Sequence, residues 1–125
     1  MNTLSSFDVI AFIPTGDLVR AKSFYKKTLG LHQVSEDAGT LGFDANGTML
    51  RVFHFTGPIP AHYTVLGWVV PDIDEMVEDL TAKGIVFEHY FGFDQDQAGV
   101  WASPDGARVA WFKDPDGNIL SLTQF

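Results

Sequence analysis

The chain has 125 residues, of which 46% are hydrophobic and 14% aromatic, and it contains no cysteine. This length fits one domain with a substantial core, and the lack of cysteine excludes disulfides, thiolate catalysis and cysteine-ligated metals and favours a cytoplasmic location. Sixteen acidic against eight basic side chains give a formal net charge of −8, which opposes binding to nucleic acid or to an anionic membrane surface.

The first half of the sequence predicts the element order β-α-β-β-β. An apolar run over residues 7–14 predicts the first strand. A helix follows, with Asp17 as its N-cap and Gly30 as its stop, because apolar residues recur at helical spacing between them. Strands are predicted over 31–36, 40–45 and 48–55, the last two joined by the hairpin turn Asn46-Gly47. The basic residues of the helix are expected to form a solvated face: Arg20, Lys22, Lys26 and Lys27.

The second half predicts the same order after a linker at 56–62, which contains two prolines and no periodicity. A strand over 63–70 precedes a helix that begins at the Asp72 cap and stops at Gly84. Strands predicted over 85–90, 108–113 and 119–124 complete the second β-α-β-β-β order. A long insertion at 91–107 carries Trp101, and such loops in compact domains are more often functional than decorative. No apolar stretch is long enough to span a membrane, and the first six residues lack a signal-peptide pattern.

The last two strands flank the turn Asp114-Pro115-Asp116-Gly117-Asn118. Pro115 presets its own φ, and Gly117 or Asn118 supplies a residue with positive φ. We interpret Asp114 and Asp116 as turn formers that cap their own backbone, and not as a catalytic carboxylate pair. No Gly-rich phosphate loop or nucleophile elbow is present, so the sequence identifies no catalytic residue.

Two stretches, 17–31 and 112–122 around the Asp-Pro-Asp-Gly-Asn turn, resemble the vicinal oxygen chelate superfamily of glyoxalases, bleomycin-resistance proteins and extradiol dioxygenases. The resemblance implies an α+β fold in a single domain, 1–125. Two βαβββ modules, 7–55 and 63–125, would form a curved mixed sheet around a central cleft, with helices outside. It also implies a homodimer, which the exposed edges of two half-sheets favour independently.

Enzymes of the resembled superfamily hold a divalent metal with His, Gln or Glu from the first and last strand of each module. Motif spacing carries those positions to Ile10, Arg51, Val65 and Ser121. Two aliphatic chains, a permanent cation and an unassisted hydroxyl are poor ligands, so we predict that the usual metal site is lost and that no cofactor binds. The alternative metal pair is His54 and His62, which flank the linker.

Strand alternation predicts which side chains face the cleft. That side would carry Ile10, Phe12, Arg51, Phe53, Val65, Gly67, Ser121 and Thr123, while Leu50, Val52, Leu66, Leu120 and Leu122 pack under the helices. The candidate ligand-binding residues are Phe12, Arg51, Phe53, Tyr90, Trp101, Trp111 and Ser121, with Trp101 as a lid. Core filling explains Phe12 and Trp111 equally well. Arg51 either recognises a ligand anion, forms an internal salt bridge or extends to solvent.

Three functions remain open at this point. The favoured one is metal-free binding of a small molecule, partly aromatic and with an anionic group where Arg51 takes part. The second is a lyase or dioxygenase with a site relocated to His54, His62 and Tyr90. The third is a non-catalytic interaction domain whose cleft is filled by its own side chains.

Overall fold

A computed structural model describes residues 3–58 and 61–125. The chain divides into two compact units, Met1–Gly57 and Pro58–Phe125. The boundary falls inside the predicted linker 56–62, of which Ile59 and Pro60 lie outside the described residues. Met1 and Asn2, the start of the segment searched for a targeting signal, also lie outside them.

The first unit contains a four-stranded mixed sheet and one helical segment. After a short 3₁₀ turn at Leu4–Ser6, the strands are β1 (Ile10–Thr15), β2 (His32–Glu36), β3 (Thr40–Ala45) and β4 (Thr48–His54). Their order in the sheet is β1-β4-β3-β2, with β1 parallel to β4 and the other pairs antiparallel. The four predicted strands are confirmed, and the Asn46-Gly47 hairpin is confirmed by positive φ values of 51° and 95°.

The helical segment between β1 and β2 begins as the α-helix α1 (Leu18–Lys22) and continues as a π-helix over Ser23–Thr28. Asp17 caps it as predicted, because its Oδ1 accepts a hydrogen bond of 3.1 Å from the N–H of Arg20. Gly30 follows the helix with φ of 75°, also as predicted. The change to π geometry was not predicted, since apolar spacing alone does not separate the two helix types over a single turn.

The first core lies between this helical segment and one face of the sheet. Leu50 and Val52 of β4 are 1% and 0% exposed, and the Tyr25 ring packs against Phe43 with centroids 6.1 Å apart. Residues at alternate positions of β1 and β4 therefore project from the opposite face, away from this helical segment.

The second unit repeats the arrangement with a difference at one edge. Its elements are β5 (Thr64–Val69), α2 (Ile73–Ala82), β6 (Trp101–Ala102), β7 (Arg108–Lys113) and β8 (Ile119–Gln124), in the sheet order β5-β8-β7-β6. The carboxylate of Asp72 caps α2 by accepting a hydrogen bond from the N–H of Glu75 at 3.1 Å. Buried residues of α2 and the sheet form the second core: Ile73, Val77, Leu80, Ala110, Phe112, Leu120 and Leu122.

The predicted strand over 85–90 is wrong. That segment has no regular strand structure, and the edge position beside β7 is shared between two pieces of chain. The N–H of Glu88 donates to the carbonyl of Trp111 at 2.8 Å, while Trp101 and Ala102 pair with the other end of β7. The insertion therefore contributes the edge strand that the sequence pattern assigned to 85–90.

The turn between β7 and β8 is built as predicted around Asp114. Its buried carboxylate accepts hydrogen bonds from the N–H groups of Asp116 and Asn118 and from the side-chain amide of Asn118, at 2.8 to 2.9 Å. Gly117 supplies the positive φ, at 88°. In the described part of the chain, no helix is both long and apolar enough to cross a membrane.

Candidate functional site

Arg51 lies on the face of the first sheet that is opposite the helical segment. Because Leu50 and Val52 on either side of it point into the core, its side chain projects the other way. Strand register places Arg51 beside Phe12 on β1 and beside Gly42 on β3. The sequence prediction for the orientation of this side chain thus agrees with the observed alternation.

An open pocket of about 420 Å³ surrounds the Arg51 side chain and is lined by Phe12, Thr40 and Phe53. The two phenyl rings meet edge to face, with centroids 6.4 Å apart. Phe12 is 59% exposed and Arg51 is half-buried, so this is accessible surface and not core. The interpretation of Phe12 as core filling is therefore wrong.

A cluster of four aromatic rings covers part of the second sheet. The ring of Trp111 on β7 lies 5.5 Å from those of Tyr90 and Phe93 and 6.0 Å from that of Trp101, measured between centroids. Phe93 contacts Trp101 at 5.0 Å. Three of the contacts in the cluster have edge-to-face geometry, which the quadrupoles of aromatic rings favour.

Rings of this aromatic cluster line an open cleft of about 400 Å³ in the second unit. The cleft is bordered by His62, Tyr63, Thr64, Tyr90, Phe93, Trp111 and Ile119. The hydroxyl of Tyr90 is buried beside it and has no hydrogen-bond partner among residues 3–58 and 61–125. Burial, followed by the nearby carboxylate of Glu88, raises the pKa of this phenol above its usual value.

The side chain of Gln95 holds the insertion in place over the sheet. Its Oε1 accepts a hydrogen bond from the N–H of Tyr90 at 2.7 Å. Its Nε2 donates to the carbonyls of Glu88 at 2.8 Å and Gly99 at 2.7 Å. The amide therefore joins both ends of the segment that carries Tyr90 and Phe93.

Ser121 occupies the place in the second sheet that Arg51 occupies in the first. It pairs with Gly67 on β5 as Arg51 pairs with Phe12 on β1. A Cβ atom at Gly67 would collide with the Ser121 hydroxyl, so the glycine is what gives that side chain room. Ser121 is almost fully buried, and it does not line the aromatic cleft.

Five of the seven predicted ligand-binding residues line one of two pockets, one pocket in each unit. Phe12, Arg51 and Phe53 belong to the pocket of the first unit, and Tyr90 and Trp111 to the cleft of the second. Trp101 packs on Trp111 from the short strand β6. Sequence reasoning missed Phe93, Thr40 and Gln95. The signal available for Phe93 was the concentration of aromatic residues at the start of a Gly- and Asp-rich insertion.

Comparison with known proteins identifies the family. The model of the Glyoxalase/Bleomycin resistance protein/Dioxygenase superfamily matches residues 6–122. The chain belongs to this superfamily. No individual curated protein sequence matches the chain.

Solved structures of the superfamily share the fold. A member from Sphaerobacter thermophilus is 27% identical, with a TM-score of 0.74 over 95% of this chain and 97% of that one. A lactoylglutathione lyase from Agrobacterium tumefaciens is 22% identical, with a TM-score of 0.74 over 95% and 93% of the two chains. A glyoxalase family protein from Enterococcus faecalis is also 22% identical, with a TM-score of 0.69 over 93% and 94%. At 22% identity, the last two likenesses concern the fold alone.

The side chains of this superfamily member do not fit the divalent metal that the resemblance implies. The four carried-over positions offer two aliphatic chains, a guanidinium and one buried hydroxyl. Within the described ranges, no group of three or more His, Asp or Glu side chains is placed to hold a metal ion. Of the alternative pair, His54 belongs to the first unit and His62 to the second.

Proposed function

We propose that this superfamily member binds a small, partly aromatic molecule in the cleft of the second unit, without a metal. The observation that carries the proposal is the lining of that cleft by the rings of Tyr90, Phe93 and Trp111. A concave, mostly apolar surface with a few polar groups is the usual form of a small-molecule site. A flat ligand ring would be held by stacking and edge contacts of the kind these residues already make with one another.

The polar groups beside the rings support a ligand that carries a hydrogen-bond acceptor. The buried Tyr90 hydroxyl has no partner in the described part of the chain, and an unpaired buried hydroxyl costs about 1 to 3 kcal/mol. Its raised pKa keeps it protonated, and therefore a donor, at neutral pH. His62 and Thr64 add further polar atoms at the same border.

Binding is favoured over the two alternatives. The volume of the cleft speaks against an interaction domain whose interior is filled by its own side chains. A lyase reaction like that named for the Agrobacterium relative would need a metal or an acid-base pair. Within the described ranges no group of three or more His, Asp or Glu side chains is placed to hold a metal, and the lining of the cleft includes one histidine, His62, and no carboxylate to act with it.

Titration with 2-naphthamide, an uncharged bicyclic aromatic amide, tests the proposal. The indole N–H resonances of Trp101 and Trp111 should shift on binding. That of Trp68 should not, because Trp68 pairs with Leu122 on the helix side of the sheet. Trp111→Leu should weaken binding about tenfold, by loss of about 1.4 kcal/mol of ring contact. The matched control Trp68→Leu removes the same ring from the other face. Equal affinities for both variants, or an unchanged Trp111 resonance, would refute the proposal.

A further inference from the structure

Arg51 is an isolated positive charge in an acidic part of the sequence. It is the only basic residue between Lys27 and Lys83 in a sequence whose formal charge is −8. Within residues 3–58 and 61–125, its guanidinium forms no ion pair or side-chain hydrogen bond. Ion pairs found elsewhere among the described residues include Lys22 with Glu36, Arg108 with Asp74, and Lys113 with Glu88. The internal salt bridge considered for Arg51 is therefore not formed there.

The surroundings of Arg51 suit an anion attached to an apolar body. A guanidinium offers five N–H donors in a planar fork that matches the two oxygens of a carboxylate. Phe12 and Phe53 flank it across an open pocket of about 420 Å³, with Thr40 as a further polar group. Gly42, next to Arg51 on β3, adds no side chain of its own to this face.

The negative net charge of the chain repels an anionic ligand, but this repulsion acts over longer distances than a direct hydrogen bond between the ligand and Arg51. At physiological salt, charges separated by more than about 8 Å are largely screened, whereas a charge-assisted hydrogen bond acts below about 3 Å. Half-burial of Arg51 lowers the local dielectric further and strengthens the contact. The local guanidinium therefore decides which ligand charge is accepted.

Arg51 also stands where the superfamily resemblance places a metal ligand. A guanidinium cannot donate a lone pair to a metal, and its positive charge repels one. We propose that Arg51 replaces the metal as the positive group of the first unit and binds a carboxylate or similar planar oxyanion. The rings of Phe12 and Phe53 would hold the aromatic or aliphatic body of that ligand. This inference concerns the first unit and does not depend on the cleft of the second.

The experiment compares benzoate with its uncharged counterpart benzamide in NMR titrations that follow the backbone amides of Phe12, Arg51 and Phe53. Benzoate should shift these amides saturably in the wild type and bind more tightly than benzamide. Arg51→Met should weaken benzoate at least tenfold and leave benzamide unchanged, as loss of a charge-assisted contact requires. Arg51→Lys should retain part of the affinity, because an ammonium keeps the charge but lacks the fork.

Arg20→Met is the matched control, since it removes the same charge from an exposed position of α1. It should leave benzoate binding unchanged. The proposal is overturned if Arg51→Met binds benzoate as the wild type does, or if Arg20→Met loses as much. It is equally overturned if benzoate at about 1 mM leaves the three amides of the wild type unmoved. Should Arg51→Met fail to fold in a thermal melt, Arg51→Gln takes its place. Shifts confined to the Trp101 and Trp111 indoles would support the second-unit cleft and overturn the Arg51 site.

Discussion

At the scale of single residues, the hydroxyl of Tyr90 shows whether this side chain serves ligand binding or the stability of the fold. A tyrosine kept for stability has its hydroxyl paired, and its replacement by phenylalanine costs a hydrogen bond. The Tyr90 hydroxyl is buried without a partner among the described residues. The stability of the empty protein therefore does not account for this hydroxyl.

We expect the free energy of unfolding of Tyr90→Phe at pH 7 to exceed that of the wild type, by at most the about 1 to 3 kcal/mol that an unpaired buried hydroxyl costs. The contribution of the Tyr90 hydroxyl to the free energy of unfolding also depends on pH, and the sign of this dependence follows from the pKa shift. Because the folded-state pKa is raised, mainly by burial, the folded protein holds the phenol proton more tightly than the unfolded chain does. That contribution is complete below the unfolded pKa of about 10 and is lost as the pH rises through the folded value.

Urea denaturation at neutral and at alkaline pH measures both effects. The wild type should lose more stability than Tyr90→Phe between the two conditions. The control Tyr63→Phe removes a hydroxyl that borders the same cleft on a residue that is 69% exposed. A loss of 1 kcal/mol or more in Tyr90→Phe at pH 7 would mean that the hydroxyl has a structural partner, and would remove its part in the proposed function.

At the scale of elements, the segment from 85 to 101 depends on the side chain of Gln95. Its amide satisfies backbone groups of Tyr90, Glu88 and Gly99 that a regular strand pairing would otherwise satisfy. The aromatic cluster is carried on this segment, so the position of Phe93 depends on the same amide.

We expect Gln95→Ala to lower the free energy of unfolding by about 2 kcal/mol, because three part-buried hydrogen bonds are lost. Hydrogen exchange of the Tyr90 amide should accelerate at least tenfold, since local opening no longer breaks a bond to Oε1. The control Gln97→Ala alters an exposed amide two residues away and should change neither quantity. Unchanged exchange at Tyr90 in Gln95→Ala would show that the segment is held by its ring contacts instead.

The elements that the sequence predicted correctly are those fixed by local chemistry. Asp17 and Asp72 cap their helices, Asn46-Gly47 turns its hairpin, and Asp114 organises the last turn. Each of these depends on residues within four positions of one another. Alternation likewise gave the outward orientation of Arg51, because core contacts fix the neighbours on both sides.

The predictions failed where two segments compete for one partner. Residues 85–90 have a strand pattern, yet β7 has a single free edge, and Trp101 and Ala102 occupy one end of it. The three hydrogen bonds of Gln95 to backbone groups, and the lack of a partner for the Tyr90 hydroxyl among the described residues, are likewise consequences of tertiary placement. A local sequence pattern does not determine which of two segments pairs with a given strand edge in the folded structure.

At the scale of the whole molecule, the sheet edges differ in how well they are protected against pairing. Pro14 removes a donor from β1, an irregularity between Gln33 and Ser35 distorts β2, and β6 has only two residues. The edge strand β5 has an irregularity between Thr64 and Leu66 at its start, but its pairing is regular from Leu66 to Val69, and Val69 is 71% exposed. We therefore expect a second copy of the chain to cover β5, giving a homodimer.

Light scattering at micromolar concentration should then report a mass about twice the 13.8 kDa of one chain. Val69→Lys should shift the protein to monomers, because a charged side chain on an edge strand cannot be buried in a pairing without a partner for its ammonium. The control Val19→Lys introduces the same charge on α1, at a position that is 82% exposed, and should leave the mass unchanged. A monomeric wild type would end the dimer hypothesis. A Val69→Lys variant that remains dimeric would place the interface on another surface, of which the exposed apolar face around Phe12 is the next to test.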